Sequence, residues 1–164
     1  MEYVIIGGIA VVMYGEQRTT EDIDVTILCN LENLDFIHGI IEKKFTPAFK
    51  GTLDYFKKNF ILPVDDPDTK LRIDFAAGLT EFDKQVISRR KRKNFGKSKV
   101  YVCSLEDLII YKLFAARHLD IADVQNLLEK NKSSIDKNYL TQTIEKFVEL
   151  ERGDMIQNLK KFLS

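Results

Sequence analysis

Apolar residues come first in short runs and alternations, then, past residue 103, at helical spacing. Tyr3 to Ile6 is a short apolar run of the kind that forms a buried strand. Ile9 to Tyr14 reads as a short helix ending at Gly15, which puts Gly7-Gly8 at a strand-to-helix turn. The next strand contains Ile23, Val25 and Ile27 on one face and Asp22 and Asp24 on the other, because side chains alternate along extended backbone. Asn33 to Lys44 predicts a helix. Asn59 to Val64 and Lys70 to Phe75 predict strands, with Asp65-Asp66-Pro67-Asp68 as the turn between them. That acidic turn lacks the glycine and terminal glutamate of an EF-hand loop, so a solvated hairpin connection is expected. Lys99 to Val102 predicts one more strand.

From there the pattern is helical. Ser104 is placed to cap a helix, with Asp107 in its first turn, and Leu105, Leu108, Ile109, Ala115 and Ala116 form an apolar stripe. Lys112 falls on that stripe, where an ammonium needs an anion or a route to water. Asp120 and Asp123 sit at the start of the next helix, where capping accounts for them. The tail from Asp136 to Ser164 reads as two amphipathic helices carrying Ile144, Phe147, Val148, Leu150, Ile156, Leu159, Phe162 and Leu163. The expected organisation is an α/β core over residues 1–103, followed by a helical region, 104–164, packed on it.

Composition narrows the function classes. A chain of 164 residues, 45% hydrophobic, can bury one substantial core, so it holds one domain or a small pair. Its 25 basic and 25 acidic residues cancel, which leaves no global field for nucleic acid; any such binding needs a local patch. One candidate exists: Arg89, Arg90, Lys91, Arg92, Lys93, Lys97 and Lys99, either a solvated helix end and loop or a landing strip for a nucleic-acid acceptor. Cys29 and Cys103, with His38 and His118 far from both in sequence, make a zinc site or disulfide framework an unlikely organising element. The apolar stretch Tyr3 to Tyr14 is too short to span a bilayer and lacks a basic start, so a cytoplasmic protein with no membrane partner is expected.

The candidate chemistry lies in carboxylates. Asp22 and Asp24 project together, and two adjacent carboxylates repel unless a cation lies between them. Magnesium, which takes oxygen ligands and combines one or two carboxylates with substrate phosphates, removes that conflict. Backbone amides at the Gly7-Gly8 turn can receive phosphate. In Leu71-Arg72-Ile73-Asp74-Phe75 the alternation puts Arg72 and Asp74 opposite the apolar face, so Asp74 completes a carboxylate triad if this strand neighbours the Asp22 strand. Each motif alone has an ordinary reading, as a turn or a solvent-facing residue.

The order Gly7-Gly8, Arg18-Thr19, Asp22-Ile23-Asp24 and Ile73-Asp74-Phe75 resembles minimal nucleotidyltransferases of the DNA polymerase beta superfamily, most of all the AbiEii-type branch. The likeness continues through Phe82 to Arg90 and Ser104 to Leu113, covering roughly Tyr3 to Leu128. It implies a nucleotidyltransferase-type mixed sheet flanked by helices. It also implies that Asp22, Asp24 and Asp74 are catalytic and bind magnesium, with two ions expected, and that Gly7, Gly8, Arg18, Thr19 and Lys112 bind the nucleotide. Acids similar to Asp120 and Asp123 sit near the family's lysine, but capping suffices for these two and they are left out of the site. The expected reaction moves a nucleoside monophosphate from a nucleoside triphosphate to a hydroxyl on RNA or protein, with a toxin-antitoxin system as one setting. The alternative is a non-catalytic binding module or antitoxin-like regulatory subunit on the same fold. Two departures from the superfamily pattern are visible. Gly8 stands where many members carry a phosphate-touching serine. The chain also begins almost on the first strand, so a second copy or another protein could cover an open sheet face. Replacing Lys112 by Met is expected to preserve or raise stability in the absence of nucleotide.

Overall fold

The structure is a computed structural model that describes residues 1–147 and 152–163. Its strands form one mixed sheet. In chain order they are β1 (Tyr3–Ile5), β2 (Asp22–Leu28), β3 (Thr46–Pro47), β4 (Ile61–Asp65), β5 (Arg72–Gly78), β6 (Lys91–Phe95) and β7 (Ser98–Val102). Across the sheet the order is β3-β4-β5-β2-β1-β7-β6. The β2/β5 and β1/β7 pairs are parallel and the rest antiparallel, giving an α/β architecture of mixed pairing with eight α-helices among the described residues.

The chain divides into two compact units, one made of residues 1–9 and 19–103, the other of residues 10–18 and 104–164. The first holds the sheet and the helices α2 (Leu34–Ile41), α3 (Thr52–Asn59) and α4 (Glu81–Arg89). Val4, Ile27, Leu62, Val64, Val86 and Val102 are fully or almost fully buried there. Helix α4 starts in a capping box: the Thr80 hydroxyl accepts from the Asp83 amide at 3.1 Å, and the Asp83 carboxylate accepts from the Thr80 amide at 2.9 Å.

Several sequence expectations hold: β1, β2, β4, β5 and β7 lie where alternation and apolar runs placed them. The acidic turn is a hairpin connection, in which Asp66 Oδ1 accepts from the Thr69 amide at 2.8 Å and the Asp68 amide at 3.2 Å. Others are corrected. The helix expected over Asn33 to Lys44 is α2, preceded by a 3-10 turn at Leu31–Asn33 and ending at Ile41. Helix α3 and strand β6 had no sequence signal. Strand β6 reads Lys-Arg-Lys-Asn-Phe, and only its edge position, paired with β7 alone, lets so polar a segment take a place in the sheet.

The second unit contains α5 (Leu105–Ala115), α6 (His118–Lys130), α7 (Lys137–Glu145) and α8 (Gly153–Leu163), together with Ala10–Arg18, which carries most of helix α1 (Gly7–Met13). Helix α5 is its centre. Ser104 caps it, accepting from the Asp107 amide at 3.1 Å, and residues on every side of it are buried. The expected apolar stripe is therefore too narrow, and its last two members, Ala115 and Ala116, are exposed. The two tail helices are present as α7 and α8, with Ile144 and Leu159 buried. Val148, Leu150, Ser164 and the side chain of Leu163 lie outside the described residues. No helix among the described residues is long and apolar enough to cross a membrane.

Candidate active site

Strand pairing builds the site. Because β2 and β5 run parallel with Asp24 opposite Asp74 and Asp22 opposite Arg72, their outward faces coincide. Asp22, Asp24 and Asp74 each present a carboxylate oxygen such that all three lie within 4.8 Å of one another. The condition for a triad is met, since Asp74 does neighbour the aspartate pair. Asp74 Oδ1 is buried without a hydrogen-bond partner, an expensive position for a carboxylate unless something else binds it. Burial, and after it the negative charge of Asp22, raises the Asp74 pKa above the ordinary carboxylate range, against the pull of Arg72. A set of hard oxygen donors crowded to this distance, with one buried oxygen unsatisfied, suits a divalent cation.

The two glycines close on the same group. Gly7 has φ +62°, and a Cβ there would stand 1.7 Å from Asp24 Oδ2. No side chain fits. The glycine is required twice, by its left-handed backbone and by the carboxylate against its Cα. A Cβ on Gly8 would lie 2.5 Å from the Thr20 hydroxyl, and that hydroxyl in turn donates to Asp22, with Oδ1 at 3.1 Å and the backbone oxygen at 3.0 Å. Thr20 thus fills the space a serine side chain at position 8 would need, and it steadies Asp22. From the sequence, Thr20 has no role assigned beyond its place in the Arg18-Thr19-Thr20 turn. The only available signal was its place two residues before Asp22 on the same strand approach. The glycine pair sits at the turn from β1 into α1, and the helix opens at Gly7, two residues before the expected Ile9.

Arg18 and Lys112 belong to the helical unit, where they share a buried ion cluster. Lys112 Nζ lies 2.8 Å from both Asp120 Oδ1 and Asp123 Oδ2, with all three residues 5% exposed or less. Arg18 Nη1 donates to Asp123 Oδ2 at 2.6 Å, and Arg117 Nε to Asp120 Oδ2 at 2.6 Å. Burial would raise the Asp120 pKa, but hydrogen bonds from Arg117 and Lys112 outweigh it and hold the carboxyl below its ordinary range. The anion that Lys112 needs is therefore internal. Asp120 and Asp123 are not caps: α6 begins at His118 with Arg117 before it, and both acids point into the cluster. Thr19 is exposed. The structure thus brings Asp22, Asp24, Asp74, Gly7 and Gly8 together in the sheet unit, and Arg18 and Lys112 together in the helical unit.

Solved structures share this fold. The antibiotic-resistance factor ANT(2'')-Ia matches with a TM-score of 0.55 at 13% identity, over 91% of this chain and 85% of that one. An antigenic nucleotidyltransferase-like protein from Paracoccidioides brasiliensis matches with a TM-score of 0.52 at 16% identity, over 96% and 84% of the two chains. At such identity the likeness is one of fold. No curated protein matches the sequence. The family itself is shown by sequence: the model described as nucleotidyl transferase of unknown function (DUF2204) matches residues 1–161, and the chain belongs to that family.

Proposed function

We propose that this nucleotidyltransferase is magnesium-dependent and moves a nucleoside monophosphate from a nucleoside triphosphate to a hydroxyl on RNA or protein, as an AbiEii-like member of a toxin-antitoxin pair. The observation that carries the reading is the convergence of Asp22, Asp24 and Asp74, with an unsatisfied Asp74 oxygen, beside the glycine turn. Magnesium, in two sites held by these carboxylates, would supply charge neutralisation at the reacting phosphate. The chain's own groups would do the rest. Gly7 and Gly8 bring backbone amides close to phosphate oxygens, and Thr20 holds Asp22 in its rotamer. Asp74, beside the attacking hydroxyl, helps to take its proton. The new bond joins the acceptor oxygen to the α-phosphorus as the bond to the β-phosphate oxygen breaks, and pyrophosphate leaves. Nucleotide-binding roles for Arg18, Thr19 and Lys112 rest on the superfamily likeness.

The test is to incubate the protein with each α-labelled triphosphate, magnesium and a cell extract. Label in RNA or protein, lost when the metal is chelated, supports the reading. No transfer from any triphosphate to any component sinks it and leaves a non-catalytic module.

The Asp74 environment adds a pH signature. A carboxyl with a raised folded-state pKa stabilises the fold fully below its unfolded pKa and loses that contribution as pH rises through the folded value. At neutral pH without metal, the ionised group is a net cost. Asp74→Asn should therefore raise the melting temperature of the metal-free protein at pH 7 and flatten its decline as pH rises above the ordinary carboxylate range, while removing the stabilisation gained on adding magnesium and triphosphate. A variant that melts lower than wild type at pH 7 in chelator would contradict this account of Asp74.

A further inference from the structure

The β6/β7 hairpin carries a charge segregation that the catalytic reading does not use. From Lys84 to Cys103 there are eight basic residues and no acidic one, in a chain whose total charge is zero, so the remainder is net acidic by eight. Seven of these cations crowd into residues 89–99. The structure converts the run into a hairpin turned at Gly96-Lys97, and pairing sorts its side chains. Arg92 lies opposite Tyr101 and Asn94 opposite Lys99, so these four share one face. Arg92, Lys97 and Lys99 are exposed, and among the described residues no hydrogen bond or ion pair engages them. Beside them lies a prebuilt flat surface. The Arg90 guanidinium sits 4.7 Å from the centre of the Tyr101 ring, and the Tyr3 ring meets Tyr101 edge-on at 5.9 Å. Arg90 is fixed there by donating to the Ile87 carbonyl at 2.7 Å and to Glu2 at 3.2 Å.

Charged residues on an edge strand also discourage strand addition, and β6 is an edge. That duty is met by charge of either sign. It requires neither an acid-free stretch of this length nor an aromatic ring stacked under a guanidinium. Free cations that can follow a phosphate backbone, beside an exposed planar surface, match single-stranded nucleic acid, whose unpaired bases stack on rings and guanidinium planes.

We propose that the outward face of the β6/β7 hairpin binds single-stranded RNA, with Arg92, Lys97 and Lys99 against phosphates and the Arg90/Tyr101 stack beneath a base. The choice of RNA over DNA rests on the reading above, in which RNA is an acceptor. The binding itself is measured without turnover.

The experiment titrates the full chain into a fluorescently labelled 20-nucleotide single-stranded RNA over a range of salt and follows anisotropy. Arg92→Gln/Lys97→Gln/Lys99→Gln should weaken binding at least tenfold at about 0.1 M salt and make the log-log salt slope shallower by about 2, since each lost phosphate contact contributes about 0.7 on a single strand. Tyr101→Leu should weaken binding about tenfold with the slope unchanged, because stacking releases no counterions. Thermal melts confirm that the variants fold, as exposed positions allow. The proposal is overturned if wild type does not bind the RNA, or if the triple variant binds it as tightly as wild type. It is likewise overturned if the triple variant only self-associates, or if polyglutamate binds and is lost in the same way. Label transfer is scored in parallel. RNA bound through the hairpin without transfer to any acceptor fails the enzymatic reading and upholds this one; transfer to protein with no RNA binding does the reverse.

Discussion

Lys112→Met should cost about 3 kcal/mol of folding stability in the absence of nucleotide, read as a lowered urea midpoint with unchanged slope. Removing one partner of a buried ion pair costs about 3–5 kcal/mol, because the other charge is left desolvated and unpaired. Here two carboxylates depend on the ammonium, each at 2.8 Å. The estimate sits at the lower end because Asp123 keeps Arg18 and Asp120 keeps Arg117. Arg117 is a weak substitute, being 78% exposed and screened by water. The apolar stripe alone suggested the opposite, a neutral or stabilising substitution. The difference is the two acids, which turn Lys112 from a lone buried charge into the centre of an internal cluster. A Met variant as stable as wild type would mean that the cluster does not hold Lys112 in solution. Titrating triphosphate into the folded variant then reads any nucleotide role separately from stability.

Asp24→Asn should reduce label transfer by about a thousandfold or more, equivalent to about 4 kcal/mol of lost transition-state stabilisation, while leaving the fold intact. The side chain stands against Gly7 and shares the triad with Asp22 and Asp74. In the backbone, the Asp24 carbonyl accepts from the Ile6 amide at 3.0 Å, a bond that an Asn keeps. The thermal shift produced by magnesium and triphosphate should shrink in the same variant. For wild type that shift corresponds to about 2.7 kcal/mol at a ligand concentration a hundred times Kd. Transfer at the wild-type rate would remove the triad from the chemistry.

What the sequence revealed and what it hid follow from the range of the interactions involved. The triad was legible because a period of two fixes which strand residues share a face, and because one pairing, β2 with β5, then sufficed to join them. The glycine turn was legible as a turn, but its tight approach to Asp24 and Thr20 was not, since close approach across a sheet leaves no local mark. Asp120 and Asp123 looked like caps because acids near a helix start usually are. Their partner Lys112 lies one helix earlier, beyond Ala116, whose left-handed backbone (φ 52°) turns the chain between α5 and α6. Strand β6 was hidden for the converse reason: its composition argues against a strand, and only an available edge on β7 overrules it.

The membership of residues 10–18 in the helical unit sets a schedule for synthesis. Arg18 bonds to Asp123, Lys130 to Glu16 and to the Gly15 carbonyl, and Asn131 to the Tyr14 carbonyl. These partners are 105 to 117 residues apart, so the segment leaves the ribosome long before anything it binds. At roughly 5–20 residues per second that interval is on the order of 5–20 s, during which the intervening sheet residues are made in full. The helical unit can therefore close only near the end of translation, and a nascent chain stalled before Asp123 would hold Arg18 without its acid.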